Sequence, residues 1–264
     1  MCLYTLQEEA LEMTRIAVTS MLPVRQAFLI AYMTGVLWLR RNPMSLVFTA
    51  ISPFSLLFVL FVISGGGYVV PAVVGSLVMA LVGYGLALGQ DISFYKTEYK
   101  VQDVFVASPV SPLTYMMGLA LSELLFGLPA LIVLTSLVML FGASVFSIPL
   151  LIATILLIWG SMSAMGFFLS SRMLHMRNAT QVISFVNVIL AILPPVFYSI
   201  DRVPDILRPL AYAMPTTHAS LILQHIMGKG TPGEWSLGFG FAVLIAYLIG
   251  FVALAKTKAI WREN

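Results

Sequence analysis

Glu123 stands within a long apolar run, and Asn187 and Gln181 interrupt another. A carboxylate in such surroundings costs roughly 2.5–3.5 kcal/mol or more, so it needs a reason to be there. It could contact a cationic group, carry a proton, or be held by an interhelical hydrogen bond, for which Ser122 and Asn187 are at hand. The three histidines, His175, His218 and His225, are scattered along the chain. His218 and His225 could share a helix face, but two ligands are too few for a metal centre. Cys2 is the lone cysteine, which excludes an internal disulfide and a cysteine-based metal cluster. Gly65, Gly66 and Gly67 are followed by no lysine and read as a tight turn, not a phosphate loop. No catalytic, cofactor or metal site is expected, and the chain on its own reads as no enzyme.

The elements that carry these residues are membrane spans. Hydrophobic residues make up 60% of the chain and charged ones 9%, with a mean hydropathy of +0.99. A soluble domain needs far more surface charge. A spanning helix takes about 20 apolar residues, and six stretches qualify: 44–63, 69–89, 113–140, 149–171, 178–198 and 235–255. In lipid every backbone polar group must be satisfied internally, so these are helices. The expectation is an all-α, polytopic membrane protein of six spans. Residues 1–43 form a cytoplasmic N-terminus, 44–255 the transmembrane domain and 256–264 a cytoplasmic tail. The run 27–39 is too short to cross and reads as a helix lying in the cytoplasmic interface. Counted from Leu113, Glu123 lies ten residues into span three, about 15 Å deep by helical rise.

Six spans put Arg15, Arg25, Arg40, Arg41, Lys96, Lys100, Arg172, Arg177, Lys256, Lys258 and Arg262 on one side. The other side receives Arg202, Arg208 and Lys229. The basic side is cytoplasmic by the positive-inside bias, and both termini with it. The net charge of +3 is what that bias produces and implies no nucleic-acid partner.

Two polar segments are more than connections. In 91–112, a helical reading puts Lys96, Lys100 and Asp103 on one face and Val101, Val104 and Phe105 on another. Pro109 and Pro112 then stop the helix and stiffen an elbow into span three. A plain joining loop would need neither the apolar face nor the two prolines. The external segment 199–234 is unusually apolar, and its prolines cut it into two expected short helices, 205–214 and 217–227, the second capped by Thr216 or Thr217. Tyr198, Asp201, Pro204, Arg208 and Pro215 mark it as an external gate, a lipid-resting cap being the alternative.

These two segments carry a resemblance. Glu98 to Gly118, with Ser108-Pro109-Val110-Ser111-Pro112-Leu113-Thr114-Tyr115 at its centre, resembles the permeases of the type-2 export family of ABC transporters. So does Pro195-Val196-Phe197-Tyr198-Ser199-Ile200-Asp201, followed by Val203-Pro204, Leu207-Arg208 and Met214-Pro215. The order of elements matches from about residue 24 to 255. The resemblance implies a transmembrane subunit that pairs with a second permease, as homodimer or heterodimer, within the lipid of a prokaryotic cell membrane. It takes its energy from a separate ATP-binding cassette ATPase, docked on Lys96, Glu98, Val101, Val104, Phe105, Pro109 and Pro112. Glu123, Asn187 and Gln181 would line the path of an amphipathic or lipid-like substrate. The alternative is a secondary transporter or channel without an ATPase, for which a repeat or several mid-membrane charges would be expected.

Overall fold

A computed structural model describes residues 23–98, 101–173, 175–229 and 235–259, and every regular element among them is helical. The N-terminal helix begins with α1 (Pro23–Ala31), passes through a π-helical turn (Tyr32–Val36) and ends with α2 (Leu37–Arg41) ahead of Pro43. It is followed by α3 (Ser45–Ile63), α4 (Val69–Thr97), the short α5 (Val101–Ala107) and α6 (Pro112–Leu140). Next come α7 (Ile148–Ser171), α8 (Met176–Ile192), α9 (Arg208–Tyr212), α10 (Pro215–Ile226) and α11 (Leu237–Lys258). Gly65 and Gly66 take φ of 57° and 86° in the turn between α3 and α4, conformations open chiefly to glycine.

Five helices, α3, α4, α6, α7 and α11, are long and apolar enough to span a bilayer. The sixth expected span is shorter than its hydropathy suggested: α8 has 17 residues, about 26 Å by helical rise. Pro194 and Pro195 offer no N–H to prolong it.

Burial singles out α4 as the axis. In its most apolar window 72% of residues are buried, against 6% for α3 and 11% for α11. Small residues make this possible. A Cβ on Gly85 would lie 2.4 Å from the Cβ of Met162, and one on Gly89 2.7 Å from the carbonyl of Gly166. Gly85 and Gly89 form the G-x-x-x-G spacing that lets helices approach closely in lipid. The Ser93 and Ser170 hydroxyls bond across the same seam at 2.8 Å. Register rises together on α4 and α7, so they run parallel. On α8 it falls, since Gly83 meets Asn187 and Gly89 meets Ile183.

The N-terminal helix climbs α6 instead of lying apart from the bundle. Gly118 has no Cβ where Ile30 and the Ala27 carbonyl press in, Gly35 abuts Ser122, and Trp38 packs edge-on against Phe126 at 5.4 Å. The first turn of α3 is therefore level with the middle of α6: the Tyr84 hydroxyl donates to the Thr49 carbonyl at 3.2 Å, and the Tyr84 ring lies against Gly127. The last turns of α4 and the first of α6 project past the start of α3.

Candidate functional site

That projecting end is built from three pieces of cap chemistry. Helix α4 continues through Asp91, because no proline or glycine stops it between Gly89 and Thr97. Its end holds Thr97, whose hydroxyl donates to the Ser93 carbonyl at 2.7 Å. After α5, the Ser108 hydroxyl donates to the Phe105 carbonyl at 2.7 Å and accepts from the Val110 N–H at 3.4 Å. Ser111 then caps α6: its Oγ accepts the Thr114 N–H at 3.1 Å, and Pro112 takes the first turn, where a missing N–H costs nothing. The Ser-Pro-Val-Ser-Pro run is a capped elbow.

The expected docking helix is divided differently. Lys96 belongs to the last turn of α4 and not to the face of α5. Lys100 and the side chains of Val101 and Asp103 lie outside the described residues. The residues of the expected apolar face are used differently. Val104 is 68% exposed, whereas Phe105 is half-buried and stacks on Tyr115 at 4.9 Å. Exposed at the tip are Glu98, Val104, Ala107, Pro109 and Ser111, while Pro112 is half-buried.

About three turns inside the elbow by helical geometry, Glu123 is 6% exposed and lies beside Asp91 of α4. Ser122, considered a partner from the sequence, donates instead to the Leu119 carbonyl at 2.8 Å. Glu123 lies seventeen residues before the far end of α6 at Leu140, about 26 Å by helical rise, and close to the level where α3 begins. Asp91 was missed because it was read as the first residue of a loop, and the missing helix breaker was the available signal.

The other pathway residues do not gather around Glu123. Asn187 faces Gly83 of α4, and its buried carbonyl oxygen has no hydrogen-bond partner among the described residues. Gln181 is exposed.

The opposite end is closed by a compact block. The Tyr198 hydroxyl donates to the Leu193 carbonyl at 3.0 Å. Arg208 holds the exposed turns around Pro204, donating to the carbonyls of Val203 at 3.1 Å and Asp201 at 3.4 Å and pairing with Asp205 at 2.9 Å. Arg202 lies over the Tyr68 ring at 5.1 Å, which ties the block to the entry of α4. The expected helix 205–214 is in fact a 3-10 turn (Asp205–Leu207) followed by α9. The next helix begins at Pro215 after an uncapped Met214, so neither Thr216 nor Thr217 is its cap.

Helix α10 is the larger surprise, because it is core. It packs on α4, α7 and α11, and Thr216, Thr217, His218 and Ser220 are fully buried. Thr217 donates to the Ala211 carbonyl at 2.6 Å, and Ser220 reaches the Pro195 and Val196 carbonyls at 3.4 Å. The Trp235 indole donates to Nδ1 of His218 at 3.2 Å. The ring proton is therefore on Nε2, which donates to the Tyr212 carbonyl at 2.8 Å. Burial lowers the His218 pKa, and the bond to Tyr212 partly offsets that. His225 is exposed, so the two histidines do not form a pair. Among the described residues no cluster could hold a metal.

An elbow projecting at one end, a spanning bundle around α4 and a block at the other end make up a multi-pass membrane protein. No curated protein matches the chain. The family model of the ABC-2 type transporter matches residues 2–227, and the chain belongs to that family, the membrane permeases of ABC transporters.

Proposed function

We propose that this chain is the transmembrane subunit of an ATP-driven exporter, and that it works with a separate ATPase and a second permease subunit. The observation that carries this reading is the projecting elbow. It is rigidly capped, yet it leaves Glu98, Val104, Ala107 and Pro109 uncovered. The basic end is cytoplasmic, since it gathers the lysines and arginines, and the elbow then meets the ATPase. No phosphate loop is present in the sequence, so nucleotide chemistry must come from the partner. Val104 fills a groove on the ATPase, while Phe105 works from inside by seating α5 on Tyr115.

Motion of the elbow passes along α4 and α6 together, because Asp91 and Glu123 join them. The path for an amphipathic or lipid-like substrate runs past α4 and α8, where the carbonyl oxygen of Asn187 has no partner among the described residues. The block from Tyr198 to Pro215 closes that path on the outer side, with Asp201, Pro204 and Arg208 at its rim. Co-purification with the cognate ATPase tests the reading. A one-to-one complex that is lost in Val104→Asp supports it. Transport by the purified chain alone, without ATP, overturns it.

A further inference from the structure

A groove of about 490 Å³ runs between the N-terminal helix and the outer face of α6. Its wall is Phe28, Leu29, Tyr32 and Val36 on one side and Leu121 to Leu128 on the other. Among the described residues Arg25 supplies its only charged side chain. Arg25 is exposed and makes no ion pair among the described residues.

The lining is ordered along the groove. Ala27 and Ile30 meet α6 at Gly118, and Gly35 meets it at Ser122 and Leu125. Arg25 therefore stands at the end towards the elbow, and Leu128 at the end towards the bilayer. The π-helical turn Tyr32–Val36 lies in the wall, and such turns often mark functional positions. It brings Gly35 against α6, a Cβ there falling 3.0 Å from that of Ser122, while Tyr32 and Val36 remain on the groove. Leucine walls give water too few polar partners to stay. Phe28 at 61% and Leu29 at 44% exposure keep the groove open at the side.

One cation at the polar end and hydrocarbon beyond it match an amphiphile entering from the side. We propose that this groove is a resident site for an anionic phospholipid of the leaflet on the elbow side. The phosphate lies on the Arg25 guanidinium and one acyl chain follows the leucines towards Leu128. The lipid is a fixed component that seats the N-terminal helix on α6 and is not the transported cargo. The site does not depend on the identity of that cargo or of the ATPase.

The test is native mass spectrometry and thermal melting of the full chain in detergent, with phosphatidylglycerol, phosphatidylcholine or inorganic phosphate added. The wild type should retain one phosphatidylglycerol per subunit and melt higher with it, while inorganic phosphate has no effect. Arg25→Gln should keep its lipid-free melting point and lose about fivefold in phosphatidylglycerol affinity, the worth of one cation near an anionic headgroup. Leu128→Gln, at the other end, should weaken both lipids. Equal retention of the two lipids by the wild type, or an unchanged Arg25→Gln, overturns the site. Cross-linking of Phe28→Cys between two subunits puts a second copy in the groove and also overturns it.

Discussion

The elbow and the outer block are both short, proline-cut and partly apolar, yet they use their surfaces in opposite ways. In the outer block the apolar and polar groups of α10 are consumed inside the subunit: Thr217, His218 and Ser220 are buried and bonded to neighbouring carbonyls. In the elbow Ser108 and Ser111 bond to their own turns, and Val104 and Pro109 are left outside. A segment that has satisfied itself locally and still exposes apolar surface is ready for another chain. A segment whose side chains bond to three other parts of the chain is part of the fold.

The largest effect should come from breaking the outer block. His218→Ala leaves the Tyr212 carbonyl and the Trp235 indole without partners and opens a cavity in the core. It should cost roughly 2–5 kcal/mol, seen as a large fall in the detergent melting point and in yield. Protein that survives should still bind the ATPase with normal affinity. A stable His218→Ala variant would mean that α10 is a cap resting on the bundle, the alternative its sequence left open.

Second in size is Val104→Asp, which tests the elbow from the other direction. It removes an apolar contact worth roughly 1.5–3 kcal/mol, so ATPase binding should weaken at least about tenfold. The melting point of the subunit alone should not change, because Val104 touches solvent there. Phe105→Asp would not be a clean test: it strikes the Tyr115 contact and should lower the subunit's own stability. If Val104→Asp unfolds the chain instead, the elbow is not a free surface and the contrast with the outer block disappears.

The third effect is smaller and separates the two regions by pH. A histidine with a lowered folded pKa binds its proton more readily when unfolded. Stability is then complete above the unfolded value of about 6.5 and falls as the pH drops below it. The wild type should melt lower at about pH 5.5 than at about pH 7.5, by up to about 1.4 kcal/mol per pH unit at the limit. His218→Gln should lose this acid-side slope whatever its absolute stability. Unchanged slopes in both proteins would place the titrating group elsewhere.

How much of this was legible in the sequence follows from what hydropathy measures. It reports which segments leave water, so five helices long enough to span, and their order, could be read directly. It also marked the elbow, because proline and serine have fixed consequences for a helix start. It does not report what a segment packs against. Thr216, Thr217, His218 and Ser220 read as an external helix, but small polar side chains can be buried once carbonyls are within reach. Asp91 read as loop because charge suggests solvent, whereas the helix simply had nothing to stop it. Phe105 and Val104 read as one apolar face, yet Phe105 turns inward onto Tyr115 while Val104 stays exposed.

The smallest effect on binding should come from the two prolines, and it is the most specific for coupling. Pro109 is exposed and Pro112 occupies the first turn of α6, a position where alanine also fits a helix. Replacing both with alanine leaves the Ser111 cap in place and removes no apolar contact as large as Val104. Docking should therefore change by less than about twofold, and the melting point by no more than the few tenths to 1 kcal/mol that proline contributes through the unfolded chain. What changes is stiffness. With two φ angles freed, a push on α5 from the ATPase is absorbed in the turn and no longer moves α4 and α6 together through Asp91 and Glu123. In reconstituted vesicles, substrate transported per ATP hydrolysed should fall while hydrolysis itself continues. A double variant that transports with the wild-type ratio would show that the elbow only docks, and that motion enters the bundle through another contact, for which the N-terminal helix on α6 is the next to test.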